Sequence, residues 1–286
     1  MAKRKKIAFQ GEPGANSDLA CRKAYRDYEP LPCPTFEDVF AALRAGKADL
    51  AMIPIDNSVA GRVADIHHLM PHSGLHIVAE HFMPVKHQLL APRGATLKTI
   101  KSVESHVHAL GQCRKVIRQL GVRAVVAADT AGSAREVSEA GDITRASIAS
   151  KLAAKIYGLK ILKANIEDEA HNTTRFIILS KTEKWTPKSR MTGAVVTTFV
   201  FQVRNIPAAL YKAMGGFATN GVNMTKLESY MVGGSFSATQ FYADVEGHPD
   251  ERGVELALEE LDFVCQPKTL KILGVYPAHK MRKKFR

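Results

Sequence analysis

Residues 7–17 read Ile7-Ala8-Phe9-Gln10-Gly11-Glu12-Pro13-Gly14-Ala15-Asn16-Ser17. A short apolar run passes into a turn rich in glycine and proline and then into residue types that cap helix N-termini, so the order strand, loop, helix is expected. Outward from this stretch the pattern recurs. Apolar strands are expected at 7–9, 50–55, 75–82, 87–91, 102–105, 123–127, 161–166 and 174–179, and helices over 17–28, 35–45, 105–120 and 145–157. Gly46, Gly121 and Gly158 stand where the last three helices would stop. Alternation of this kind predicts an α/β layered fold.

The run from Thr182 to Arg190 is polar, holds Pro187 and lacks periodicity, and it separates two regimes. A first domain is expected over 1–181, a linker over 182–192, a second domain over 193–275 and a basic tail over 276–286. In the second domain a strand (194–203), a helix (206–220), a hairpin (224–231 and 236–245, around Gly233-Gly234), a helix (250–262) and a strand (269–274) give the order βαββαβ, a ferredoxin-like unit. A length of 286 residues suits two cores.

Hydrophobic residues at 45% and charged residues at 24% place the chain among globular proteins. No apolar run approaches the roughly 20 residues that cross a bilayer, so no membrane association is expected and the cytoplasm is the expected compartment. Lys3, Arg4, Lys5, Lys6, Lys280, Arg282, Lys283, Lys284 and Arg286 supply nine charges of a net +12. With so little excess in the body, the tails read as solvated and no nucleic-acid partner is expected. Cys21, Cys33, Cys113 and Cys265 lack paired spacing and read as reduced thiols. His67, His68, His72, His76 and His81 resemble a ligand cluster, but Pro71 and Gly74 break any helix that would align them, so no metal site is expected.

Several loops place polar groups where ligands gather. The loop 10–17 offers backbone N–H groups before a helix, or is an ordinary tight turn; it matches neither a dinucleotide fingerprint nor a P-loop. Asp56, Asn57 and Ser58 sit at the carboxyl end of a strand, where open α/β sheets bind ligands, or they only cap the next segment. Ser105 and His106 open one helix, and Thr130 and Ser133 lie near the start of another, so each site offers hydroxyls beside a helix N-terminus. The polar run 166–173 then enters an apolar strand, whose alternation sends Thr174 and Phe176 to one face and Arg175 to the other. Taken alone, this is a polar strand entry.

Five segments taken in order carry a resemblance: Gly11-Glu12-Pro13-Gly14; Ile53-Pro54-Ile55-Asp56-Asn57-Ser58; Ser105-His106 with Ala109 and Gln112-Cys113; Ala149-Ser150 with Tyr157-Gly158-Leu159; and Asn172-Thr173-Thr174-Arg175-Phe176. Together they resemble the motifs of prephenate dehydratases. The resemblance implies two α/β lobes similar to those of periplasmic binding proteins, with the site between them. It also implies a cofactor-free reaction that turns prephenate into phenylpyruvate, carbon dioxide and water. Thr174 matches the family's essential threonine and would be catalytic, as a hydrogen-bond donor to the leaving hydroxyl. Asn57, Ser58, Ser105, His106, Thr130, Ser133, Thr173, Arg175 and Phe176 would bind substrate. Asp56 departs from the family's usual glutamate.

The C-terminal unit resembles an ACT domain, which implies feedback inhibition by phenylalanine. Ala208, Ala209, Leu210, Asn223, Glu228 and Ser229 would then bind the effector, with Ala208 replacing a glycine and Tyr230-Met231 replacing Arg-Pro. Homodimers or homotetramers are the implied assemblies. An arogenate dehydratase and a non-catalytic amino-acid sensor are the competing readings.

Overall fold

The opening stretch forms β1 (Lys6–Gln10), with Ile7, Ala8 and Phe9 fully buried, and leads through the loop into α1 (Asn16–Ala24). β2 (Glu29–Cys33), α2 (Phe36–Arg44) and β3 (Leu50–Asn57) are next, and β1 lies between β2 and β3, parallel to both. α2 begins on a capping box, since Thr35 Oγ1 accepts the Asp38 N–H at 3.1 Å and Asp38 Oδ2 accepts the Thr35 N–H at 3.3 Å. This computed structural model describes residues 4–63, 65–190, 194–232 and 239–284. The chain divides into one unit of residues 1–63 and 82–176 and a second of residues 64–81 and 177–286.

Past β3 the chain forms β4 (Gly61–Arg62), which turns back on β3, then α3 (Asp65–Leu69) and β5 (His76–Pro84). β6 (Gln88–Ala91), β7 (Ser102–Ser105), α4 (Val107–Gly111), α5 (Arg114–Leu120), β8 (Arg123–Val126), α6 (Thr130–Ala140), β9 (Arg145–Ala149), α7 (Lys151–Ile156) and β10 (Lys160–Lys163) succeed them. β11 (Thr173–Ser180) then enters the first sheet, whose order is β2-β1-β3-β11-β5. The intervening strands make a second sheet in the order β10-β6-β9-β7-β8, parallel at β7–β8 and β7–β9 and antiparallel at β6–β9 and β10–β6. The fold class is therefore α/β with mixed sheets.

Three expectations are corrected. The helix expected over 145–157 is β9 followed by α7, and the helix is only its second half. Ala146, Ser147, Ile148 and Ala149 are buried in the middle of a sheet, so both faces are covered and the two-residue alternation that marks a strand is missing. The helix expected over 105–120 is two helices, because Asp168 accepts the N–H groups of Arg114 at 3.0 Å and Lys115 at 3.1 Å and so caps a separate α5. β2 stands outside the expected strands. Its Pro30 and Pro32 weaken a strand signal, yet β2 is an edge strand, where proline costs no ladder bond on the open side.

The second unit holds β12 (Val195–Gln202), α8 (Ala209–Thr219), β13 (Met224–Met231), β14 (Thr239–Glu246), α9 (Arg252–Val264) and β15 (Lys271–Pro277). The sheet order β13-β14-β12-β15 with every pair antiparallel is the ferredoxin-like arrangement of a βαββαβ chain. Phe199, Phe201, Phe217, Phe241, Val254 and Leu261 share one core, with Phe201 stacked on Phe241 at 5.1 Å. The other face of β12 and β14 mixes buried Val196, Val200 and Tyr242 with polar groups, and Thr198 Oγ1 donates to Asp244 Oδ1 at 2.6 Å. Residues from 65 to 81 pack in this unit: the His67 ring meets Tyr242 edge-on at 5.2 Å, Lys271 Nζ donates to the Pro71 carbonyl at 2.9 Å, and a Cβ on Gly274 would strike the Ile77 carbonyl oxygen.

One tail reading also changes. Arg282 is not a solvated charge: its guanidinium donates to Glu80 at 2.6 and 2.9 Å, with Asp244 at 3.4 Å, and both carboxylate side chains are fully buried. Two buried carboxylates require a cation, and the tail supplies it. The expected turn at Gly233-Gly234, the strand start at 236–238, linker residues 191–192 and the tail residues Lys3 and Arg286 lie outside the described residues.

Candidate active site

β3 and β11 end side by side, and their last and first residues meet. The Ser58 N–H donates to the Thr173 carbonyl at 2.9 Å, and the Thr173 N–H donates back to Ser58 Oγ at 2.9 Å. Ser58 Oγ in turn donates to the His171 carbonyl at 2.8 Å, which holds the polar loop onto the strand ends. On one side of this pair, Asn57 Nδ2 donates to Thr174 Oγ1 at 3.0 Å and to Asn172 Oδ1 at 2.8 Å. On the other side, Arg175 faces Asp56 at 3.6 Å and lies over the Phe82 ring at 6.0 Å. Strand alternation thus separates Arg175 from Thr174, since β11 is already strand at Thr173. Phe176, 1% exposed, is a core side chain.

Thr174 is 9% exposed, and among the described residues its hydroxyl proton has no acceptor. An oxygen that accepts from Asn57 has its own O–H directed elsewhere, and it is a better donor for being polarised in this way.

The network continues through two motif residues that are not among the site candidates, Asn172 and Gln112, to His87, which no motif contains. Asn172 Nδ2 donates to Gln112 Oε1 at 2.6 Å, and His87 Nε2 lies 2.9 Å from the same oxygen. Burial holds the His87 imidazole below its ordinary pKa, with the Gln112 hydrogen bond and the charge of Glu167 opposing. Asn172 stands inside the motif that ends at Phe176, so the chain itself points to it. His87, 25 positions from Gln112, leaves no local signal.

The remaining candidates gather at the second sheet. Ser105, fully buried, donates its hydroxyl to the Ile148 carbonyl at 2.6 Å. Ser133, 1% exposed, meets Ser147 Oγ at 2.6 Å and the Thr130 carbonyl at 2.9 Å. Both serines thus tie β7, β9 and α6 together. Thr130 opens α6 behind the cap Asp129, whose carboxylate accepts the Gly132 N–H at 2.7 Å. His106 caps α4 by accepting the His108 N–H at 3.3 Å. Burial and the neighbouring His108 lower its pKa, and Asp129 opposes them. α4 runs from this group toward the first: from His106 to Gln112 is about 9 Å of helical rise.

The loop 11–15 is a clamp. Arg135 donates to both Glu12 oxygens, at 2.8 and 3.0 Å, and holds that carboxyl below its usual pKa. Tyr157 Oη donates to the Pro13 carbonyl at 2.8 Å and Ser150 Oγ to that of Gly14 at 2.6 Å. A Cβ on Gly14 would fall 2.8 Å from Ala153 Cα, so this close approach requires glycine.

The family model described as prephenate dehydratase matches residues 7–184. The chain belongs to the prephenate dehydratase family. It is thereby a carbon–oxygen lyase. Among the family's relatives, a bifunctional N-acyl-homoserine lactone acylase/prephenate dehydratase of Komagataeibacter europaeus is 51% identical over 97% of this chain and 98% of its own. Arogenate dehydratase/prephenate dehydratase 1 of Arabidopsis thaliana is 38% identical over 97% of this chain and 73% of its own. The prephenate dehydratase of Arthrobacter aurescens, solved in complex with L-Phe, superposes with a TM-score of 0.86 at 30% identity and covers 96% of this chain and 90% of that one. No helix among the described residues is long and apolar enough to cross a membrane.

The effector candidates lie at the start of α8, just before β13 and on β13 in the second unit. Ala208, at φ 59°, precedes α8, where Ala209 is buried and Leu210 is 38% exposed. Asn223 donates to Glu246 at 3.0 Å, and Glu228 and Ser229, consecutive on β13, face opposite sides.

Proposed function

We propose that this chain converts prephenate to phenylpyruvate, with Thr174 donating a hydrogen bond to the departing C4 hydroxyl. The observation that carries this is the Asn57 to Thr174 bond at 3.0 Å, which leaves the threonine proton for a ligand. As the ring carboxylate leaves as carbon dioxide, its electron pair enters the ring and expels the hydroxyl as hydroxide, which takes a proton from solvent to become water, and aromatisation drives the step. Negative charge builds on the departing oxygen in the transition state, where a fixed, half-desolvated donor helps most. A neutral threonine is too weak an acid to surrender its proton at pH 7, so its part is stabilisation and not full proton transfer.

In this reading His106, Thr130 and the backbone N–H groups at the starts of α4 and α6 receive substrate carboxylates, while Asn57, Ser58 and Thr173, whose hydrogen bonds are spent within the loop, shape the pocket around Thr174. Arg175 acts through Asp56. Residues 1–181 form the catalytic domain, 182–192 the linker and 193–275 an ACT domain, supported by the βαββαβ topology. That domain binds phenylalanine and assembles dimers or tetramers; the L-Phe complex of the Arthrobacter relative supports the ligand. The four cysteines, all buried and free, suit the cytoplasm.

The test is incubation of the purified protein with prephenate and, separately, with arogenate, following phenylpyruvate and phenylalanine respectively, with and without added phenylalanine. Prephenate turnover that phenylalanine inhibits is expected. No turnover of either substrate would leave the sensor reading. A second activity, cleavage of N-acyl-homoserine lactones, is favoured by the near full-length 51% identity to the bifunctional relative. Release of homoserine lactone from an acylated substrate checks it.

A further inference from the structure

We propose that His87 is a positioning residue for Thr174, acting as an Nε2–H donor that terminates a hydrogen-bond chain with one fixed polarity. The inference rests on the dehydratase role of Thr174, and the backbone sets the direction of the chain. The N–H groups of Val59 and Ala60, which can only donate, reach Asn57 Oδ1 at 3.0 and 2.8 Å. That fixes the orientation of the Asn57 amide, so Nδ2 must face Thr174 and Asn172. Asn172 therefore presents its oxygen to Asn57 and its NH2 to Gln112. Gln112 must then present oxygen, and the atom of His87 that lies 2.9 Å from this oxygen must carry a proton.

The backbone end sets the direction, and each link is fully paired only while the next is in place. Amide groups at the middle of such a chain have no intrinsic preference between their two flipped forms. The near end is held by the loop at Val59 and Ala60, both exposed, and the far end by a histidine that is 3% exposed. Without the His87 donor, Gln112 Oε1 loses one of its two bonds and can rotate its NH2 group toward Asn172, which sets donor against donor. Asn172 would then turn away from Asn57, and Asn57 Nδ2 would lose one of the two acceptors that aim it at Thr174. The Glu167 carboxylate accepts the His87 backbone N–H at 3.1 Å and pairs with Lys86, so the histidine is seated through its main chain and its ring is committed to Gln112.

The experiment has two readouts. In the full-length protein with 15N-labelled histidine, long-range 15N–1H correlation assigns the His87 tautomer, with the signal identified by its loss in His87→Gln. The Nε2–H form is expected in the free enzyme at pH 7.5. In steady-state assays with prephenate, His87→Met, which fills the space without a donor, is expected to lower kcat by about tenfold to a hundredfold through misplacement of the donor. KM should move little, because the interaction lost is one made in the transition state. His87→Gln, which returns an N–H near the Nε2 position, should recover most of the lost kcat. An Nδ1–H tautomer overturns the proposal, as does a His87→Met enzyme with unchanged kcat or a His87→Gln enzyme no faster than His87→Met. If His87→Met does not fold, the tautomer and His87→Gln still decide. Wild-type protein that lacks turnover but shows the Nε2–H tautomer would sink the dehydratase reading alone, whereas normal turnover with the Nδ1–H tautomer would sink only this one.

Discussion

Replacing Thr174 by valine separates its two jobs. The isosteric methyl fills the space of Oγ1, so no cavity opens, and one hydrogen bond of 3.0 Å from Asn57 disappears. Asn57 Nδ2 keeps its second bond to Asn172 at 2.8 Å and is not orphaned. The folding cost is therefore that of a single neutral hydrogen bond at a 9% exposed site, about 1 kcal/mol. For a protein of this size that is a fall of about 2–4 °C in Tm. Catalysis loses a donor to charge that develops only in the transition state, which costs about 10²–10³ in kcat, or about 2.7–4 kcal/mol. Thr174→Val should be nearly as stable as wild type and almost inactive, with KM little changed. Thr174→Ser should stay within about tenfold of wild type, since the hydroxyl remains. The assay is phenylpyruvate formation from prephenate beside circular dichroism melting. A valine enzyme that keeps more than a tenth of its kcat with an unchanged spectrum would remove Thr174 from the chemistry.

Three further outcomes are expected. Arg282→Met removes the guanidinium that the buried carboxylates of Glu80 and Asp244 share and should lower stability by about 3–5 kcal/mol, read as a drop in the urea midpoint; a shift under about 1 kcal/mol would refute the clasp. Ala208→Gly relieves a side chain held at φ 59°, and should change stability by between zero and about +1 kcal/mol, where glycine in an ordinary helix start would cost stability; clear destabilisation would contradict the left-handed backbone. Burial lowers the pKa of His87, and also those of His106 and His279, so the unfolded chain binds protons first as pH falls. Their contribution is complete above the unfolded value of about 6.5 and is lost as pH drops below it, by at most about 1.4 kcal/mol per unit for each group. Urea midpoints should thus fall from pH 7.5 to 5.5, and less steeply in His87→Gln; a flat profile would refute this.

The sheet and helix order is legible wherever burial is one-sided. β1 and α2 announce themselves by an apolar run and a capping box of neighbours in sequence. β9 does not, because a strand buried on both faces with Ala146 and Ser147 at its centre carries no alternation. The break between α4 and α5 is hidden for another reason: the carboxylate that makes it, Asp168, is 54 positions away from Arg114. In the candidate site the motif residues Asn57 and Thr174 can be named from the chain, but not what holds them. Asn57 meets Thr174 across 117 positions and Asn172 meets Gln112 across 60, and amide-to-amide bonds leave no trace in composition. Arg282 escapes on the same ground. Along the chain it is one basic residue among several, and its partner Glu80 lies 202 positions upstream.

The second unit is not one stretch of chain: residues 64–81 are part of it, and Ile66, Met70 and Ile77 are wholly buried. A gene that ended at the linker would therefore encode an enzyme half carrying an apolar patch cut from its partner, and a gene that began there would encode a C-terminal half lacking one of its own layers. Cut at the linker, each piece would expose apolar side chains that the intact chain buries.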